Sequence, residues 1–258
     1  MQKCTYLSQS IKNGKLMRWT FMPLSVYIAP MKFYSKKGQD SKYNGLVKRA
    51  LREWEAATKG KVRFRVVNTL LESNINIEWK RVERKALGYC NFSYDPKGRL
   101  FGAEVSIGLS DGLVHQSYNN ETEVYHTILH EIGHAIGLGH SPFKADIMYT
   151  PHQQGISKVS QGDIRTVNWL YTFPQGLSPS EIASKYGVST SDIDEVVVKI
   201  LSKESKSQFE QVKNEINNRP QRDLLDENDK LAHFKKYQLS MQNVKLSTDV
   251  QDFLKKKK

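Results

Sequence analysis

The most constraining feature of the sequence is a run of eleven residues that starts at His130 and ends at His140. His130 and His134 are four residues apart, so on a helix both imidazoles project from one face toward a common point. A helix is predicted to carry them, because apolar residues recur at three- and four-residue steps after Asn120. Gly137 can end this helix in a left-handed conformation, which would turn the chain so that His140 returns to the same point. The run therefore predicts a helix, a tight turn and three converging imidazoles.

This set of side chains is suited to a catalytic metal ion. Three neutral imidazoles are a known ligand set for zinc and leave the fourth position for water. Glu131 lies between the first two histidines, where its carboxylate can hydrogen-bond that water. It would take the proton as the water attacks a carbonyl and pass it to the leaving amine. We therefore predict one Zn²⁺ held by His130, His134 and His140, with Glu131 as the general base.

The spacing H-E-x-x-H-x-x-G-x-x-H resembles the signature of the metzincin zinc endopeptidases, and the chain is most similar to their matrixin branch. Ser141 directly follows the third histidine, as in matrixins, and Met148 stands eight residues after His140. The resemblance implies that Met148 is the methionine of the Met-turn, an apolar base beneath the metal. It covers about residues 15–173 and implies a zinc-dependent endopeptidase that acts on proteins or peptides.

The resemblance also assigns elements around the site. Residues 159–171 resemble the last matrixin helix, with Ser160 and Asp163 forming a capping box. Gly88, Tyr89 and Cys90 would belong to the edge strand above the cleft, along which a peptide substrate pairs through its backbone.

Some family features are missing from the sequence. The histidine and aspartate clusters that hold a second zinc and calcium ions in vertebrate matrixins are absent between Asp95 and Asp111. We therefore expect one zinc ion and no required calcium. No Pro-Arg-Cys-Gly switch is present, so latency through a cysteine–zinc bond has no support. His126 shares the helix face of His130 but is expected outside the ligand set, since a fourth histidine would close the water site.

The resemblance implies an α+β fold with a twisted mixed sheet, an active-site helix, a Met-turn and a C-terminal helix, and the order of the predicted elements fits this fold. Asn120 and Glu123 predict a capping box at the start of the active-site helix. Upstream, the periodicities predict one helix over Tyr43–Thr58 and five strands, at Leu16–Ile28, Val62–Val67, Asn74–Val82, Leu87–Tyr94 and Phe101–Leu109.

The chain is predicted to divide into an N-terminal segment (1–14), the metalloprotease domain (15–173) and a helical extension (174–258). Residues 181–189 resemble the start of a helix-turn-helix unit and also part of a LysM module, while a plain helical hairpin that packs on the catalytic domain or on a partner explains them as well. The region after Phe209 is polar enough for partial disorder. A protein partner could bind through residues 175–258.

The net charge of +12 lies mostly in the first two thirds of the chain and would attract acidic polymers or anionic surfaces. Nucleic-acid binding is the least favoured function, because no basic and aromatic residues alternate as in such modules. The second hypothesis, after the peptidase, is a binding protein whose zinc is only structural and whose C-terminal region binds the partner. No apolar run is long enough to span a membrane. No secretion signal is readable, which favours a cytoplasmic location unless a leader has been removed.

Overall fold

A computed structural model describes residues 4–31, 39–82, 86–109 and 120–217 of the 258-residue chain. The chain forms two compact units, residues 1–204 and residues 205–258, and the elements of the predicted catalytic domain lie in the first. Short 3-10 helices occur at Leu7–Ser10 and Leu70–Glu72. The remaining elements, in chain order, are β1 (Ile11–Lys12), β2 (Lys15–Leu16), β3 (Leu24–Ile28), α1 (Gln39–Ala57), β4 (Phe64–Val67), β5 (Ile75–Arg81), β6 (Gly88–Tyr94), β7 (Leu100–Leu109), α2 (Glu121–Ala135), α3 (Gln161–Leu170), α4 (Pro179–Lys185) and α5 (Ile193–Asn217).

The main sheet is mixed and has five strands in the order β4-β3-β5-β7-β6. The first four of these strands run parallel to their neighbours. At one edge, β6 runs antiparallel to β7, with Cys90 opposite Val105. Helix α2 packs against β6, β7 and α1. Because helices pack on a mixed sheet, the architecture is the α+β class that the sequence predicted.

The first predicted strand is wrong in its extent. The sequence favoured one strand over Leu16–Ile28, but β2 ends at Leu16 and β3 begins only at Leu24. Pro23 has no N–H group for a ladder and cannot continue a paired strand. The main sheet therefore starts directly after it, where the Leu24 N–H donates to the Arg63 carbonyl over 2.8 Å.

Two tryptophans hold α2 in place. Trp54, on the buried face of α1, donates its indole N–H to the Leu129 carbonyl over 3.0 Å. Trp19 donates in the same way to the Ala135 carbonyl over 2.8 Å. Both side chains are fully buried, so each indole satisfies its polar group while its ring fills the core. The helix that carries the histidines is thus fixed near its middle and at its end.

Residues 174–204 pack on the same core as the sheet. Helix α4 begins with a capping box between Ser178 and Glu181. The buried apolar side chains of α4, the following turn and the first half of α5 join the main hydrophobic cluster; they are Ile182, Ala183, Val188, Ile193, Val196, Val197 and Ile200. The division into 1–14, 15–173 and 174–258 stays a prediction, whereas the compact unit extends to Glu204. Among the described helices, none has both the length and the apolarity that crossing a bilayer requires.

The N-terminal segment is attached to α5 through one carboxylate. Asp194 is 1% exposed and lies in the first turn of that helix. Its oxygens accept hydrogen bonds from Thr5 Oγ1 (2.8 Å), Leu7 N (2.6 Å), Ser8 N (3.3 Å) and Ser8 Oγ (2.6 Å). A buried carboxylate with four donors is well solvated by the protein, and removing it would leave buried N–H groups without acceptors.

We expect the Asp194→Ala substitution to lower the free energy of unfolding by about 2–4 kcal/mol, because buried donors lose a charged acceptor. The measurement is urea unfolding followed by tryptophan fluorescence. Glu195→Ala is the matched control in the same helical turn, and its loss should be much smaller because the side chain is exposed. Equal losses in the two variants would contradict the assigned role of Asp194.

Candidate metal centre and cleft

Helix α2 begins as predicted at Asn120, but the second half of the expected capping box is wrong. The Asn120 side chain accepts from the Glu123 N–H over 2.9 Å. The Glu123 carboxylate does not return to the cap. It pairs instead with His152 Nε2 and accepts from the Gly155 N–H over 3.2 Å. Glu123 is therefore turned toward the segment that follows Met148.

The three predicted ligands converge on one point. His134 Nε2 lies 3.1 Å from His130 Nε2 and 3.2 Å from His140 Nε2. Zn–N bonds of about 2.0–2.1 Å in a tetrahedral arrangement place neighbouring nitrogens about 3.3 Å apart. Among the described residues, these three histidines are the group of side chains found to be able to hold a metal ion.

Backbone carbonyls set which nitrogen of each helical imidazole is free. His130 Nδ1 lies 2.8 Å from the Ile147 carbonyl oxygen, and His134 Nδ1 lies 2.8 Å from the Leu138 carbonyl oxygen. A carbonyl oxygen can only accept, so each Nδ1 carries the proton and each Nε2 keeps its lone pair. Burial also lowers the pKa of His130 to about 3 and that of His134 to about 4, which keeps both rings neutral. Burial likewise lowers the pKa of His140.

Gly137 makes the turn that the third histidine needs. Its φ is +100°, a conformation that side-chain-bearing residues rarely adopt. A Cβ at this position would also lie 2.5 Å from the Met17 carbonyl oxygen. The chain can therefore leave α2, present the Leu138 carbonyl to His134, and bring His140 back to the other two rings.

Glu131 is a buried carboxylate next to these imidazoles. It is 5% exposed, and within the described part of the chain its Oε2 atom has no hydrogen-bond partner. Desolvation raises the pKa of Glu131 to about 8. A cation nearby would lower that pKa again by favouring the charged form. An unpartnered acceptor beside three nitrogen lone pairs is the arrangement that a divalent cation and its water fit.

Met148 lies beneath α2. It is fully buried, and a Cβ on Gly133 would overlap its Sδ atom. The glycine between Glu131 and His134 thus lets the thioether approach the helix backbone directly.

The cleft beside the histidines has a volume of about 820 Å³. Gly88, Tyr89 and Cys90 line one wall, and β6, to which they belong, is an edge strand of the sheet. A Cβ on Gly88 would come within 3.0 Å of Glu131 Oε1, so the strand passes directly over the carboxylate. Burial raises the pKa of the Cys90 thiol, which stays protonated.

The matrixin family model matches residues 30–172, which is more than half of the chain. The chain belongs to the matrixin family. Membership implies a zinc-dependent peptidase, and the three-histidine group is consistent with the zinc that matrixins use. Among curated proteins, none matches the chain.

The matrixin domain contains a support that the sequence did not reveal. Asp163, predicted only as part of a capping box with Ser160, forms that box and also accepts from the Ile147 N–H over 2.9 Å. Its other oxygen accepts from the Tyr6 hydroxyl. Because the carbonyl of Ile147 holds His130, Asp163 helps to fix the peptide unit that orients the His130 imidazole. No local signal in the sequence connects these residues, which are 16 positions apart.

Two further expectations concern metal ligands. His126 is buried, and its Nδ1 lies 2.7 Å from the Ile156 carbonyl oxygen. Its ring stacks beside that of His130 with the centroids 6.2 Å apart, and it is not part of the three-histidine group. The expectation that no second zinc or calcium binds between Asp95 and Asp111 stays a prediction, and residues 110–111 lie outside the described part of the chain.

We expect Gly133→Ala to lower the free energy of unfolding by about 1–3 kcal/mol through overpacking against Met148, although alanine favours helices. Gly45→Ala in α1 is the matched control. A Cβ there meets nothing within 4 Å, so this change should raise the free energy of unfolding by up to about 1 kcal/mol.

Thermal and urea unfolding of both variants measure whether the free energy of unfolding falls in Gly133→Ala and rises in Gly45→Ala. In the Gly133→Ala/Met148→Ala double variant the two effects should be non-additive, because the smaller side chain relieves the overlap. Additive losses would show that Met148 does not pack on Gly133.

Proposed function

We propose that this matrixin is an endopeptidase in which His130, His134 and His140 hold one Zn²⁺ and Glu131 is the general base. The observation that carries the proposal is the convergence of three Nε2 lone pairs in the same cleft as the unpartnered Oε2 of Glu131. The proposed Met-turn residue is Met148, whose buried thioether supports α2 from below.

The chemistry is divided between the ion and the chain. A zinc ion on three neutral imidazoles supplies Lewis acidity, which polarises a carbonyl and makes water more acidic. The carboxylate of Glu131 accepts a proton at Oε2 from the attacking water. The protonated Glu131 then donates that proton to the amine nitrogen that leaves as the C–N bond breaks.

The edge strand supports the proposal that the substrate is an extended peptide. Of the described strands, only β7 pairs with β6, so among the described residues no strand occupies the other edge of β6, where a peptide backbone could pair. Gly88 brings this edge against Glu131 without a side chain between them. A peptide paired with residues 88–90 would therefore present a carbonyl close to the carboxylate.

We expect the purified chain to bind one zinc ion and to cleave unstructured protein substrates, with activity abolished by a chelator and restored by zinc. Glu131→Ala should retain the metal but lose at least about 10²–10⁴-fold in kcat, because the proton acceptor is gone. Elemental analysis and cleavage of a peptide library, on the same samples, measure the two properties separately.

The controls separate metal binding from proton transfer. His134→Ala should lose both zinc and activity, whereas Glu121→Gln, an exposed change in the same helix, should lose neither. A Glu131→Ala protein that cleaves as fast as the wild type would make the general-base assignment wrong. A zinc-loaded wild type that cleaves nothing in a broad library would instead favour a binding protein with a structural metal.

A further inference from the structure

One wall of the cleft is polar. Helix α2 contributes Glu123 and His126, which are three residues apart and share a helix face, and the segment after Met148 contributes His152. The His126 and His152 rings meet edge to face with their centroids 4.0 Å apart. These three side chains, called here the polar wall, lie beyond Glu131 along α2 toward its N-terminus.

The polar wall offers acceptors. His126 Nδ1 must carry its proton because it faces the Ile156 carbonyl oxygen, so its Nε2 keeps a lone pair. The ring is buried, which disfavours its protonated form. An imidazole in this state cannot donate from Nε2.

Glu123 adds a negative charge to the same wall. Its side chain accepts from His152 Nε2 and from the Gly155 N–H, which uses two of about four lone-pair sites of a carboxylate. Glu123 and Glu131 are the acidic residues among the described lining of the cleft, and Lys12 is its one lysine or arginine. A buried carboxylate and a neutral imidazole favour a ligand with N–H groups and a positive charge.

We propose that the polar wall selects a lysine or arginine side chain next to the scissile bond, and that Glu123 is the residue that determines this preference. An ammonium or guanidinium group supplies several donors to the acceptors of Glu123 and His126. An apolar side chain would displace water from these acceptors and offer no hydrogen bond in return, and an acidic one would meet a like charge. The proposal rests on the proposed peptidase function, because it names the substrate class of the same cleft.

The first test uses a peptide library. Each position next to the scissile bond, on both sides, is varied over all residue types, and cleavage is measured. We expect kcat/KM for lysine or arginine to exceed that for norleucine by about tenfold or more at one of these positions. Glu123→Gln keeps the shape and removes the charge, and it should reduce the ratio at least about threefold. The ratio compares two substrates on one protein, so a general loss of activity does not affect it.

Glu121→Gln is the matched control, since it removes an exposed charge from the first turn of the same helix and should leave the ratio unchanged. His126→Phe, which keeps an aromatic ring but removes the acceptor, is a second variant that should also lower the ratio if Glu123→Gln does not fold. A wild-type preference for norleucine or leucine would overturn the proposal. So would an unchanged ratio in a folded Glu123→Gln protein.

Binding separates this proposal from the peptidase function. Zinc-loaded Glu131→Ala is titrated with two labelled peptides that differ only in lysine against norleucine, and fluorescence anisotropy gives both dissociation constants. Tighter binding of the lysine peptide without cleavage by the wild type would support the polar wall and reject the peptidase. Cleavage without any preference, together with equal binding of the two peptides, would reject the polar wall and keep the peptidase.

Discussion

Two hydrogen bonds from imidazole Nδ1 atoms to backbone carbonyls decide what the cleft can do. They come from His130 to Ile147 and from His134 to Leu138, and they leave the Nε2 lone pairs pointing at one place. Three neutral rings can sit this close, whereas three imidazolium ions would repel one another strongly. The same desolvation that keeps the rings neutral raises the pKa of Glu131 to about 8. A divalent cation would stabilise both groups, because it would bind the imidazole lone pairs and favour the charged form of the Glu131 carboxylate.

The carbonyls can hold the rings only if their own peptide units are fixed. Leu138 is fixed by the left-handed turn at Gly137. Ile147 is fixed through its N–H, which donates to Asp163 at the start of α3. The orientation of His130 therefore depends on α3, which begins 31 residues further along the chain. Asp163, which is completely buried, therefore both caps α3 and fixes the peptide unit that orients His130.

The parts of the site that the sequence could predict are those that depend on local spacing. The helical periodicity, the left-handed glycine and the convergence of three histidines all follow from residues within a few turns of each other. The outward turn of Glu123 could not be predicted, because its partner His152 lies 29 positions away. The break in the first strand was missed because β-forming residues flank Pro23 on both sides. They predict one continuous strand, although Pro23 has no N–H group for the ladder. Side-chain pairs between residues far apart in the chain, such as Glu123 and His152, produce no periodic pattern in a single sequence and cannot be predicted from it.

The region that the family match covers is smaller than the compact unit that folds with it. The family match covers residues 30–172, yet Gly139, next to the third histidine, lies against the backbone of Gln9, and a Cβ would overlap its carbonyl oxygen. The Gly139 N–H also donates to Ser10 Oγ over 3.1 Å. The segment that contains these contacts is in turn held by Asp194 of α5. The loop before His140 thus packs on an N-terminal segment outside the family match, and that segment is held by α5, so these parts fold within one compact unit that extends to Glu204.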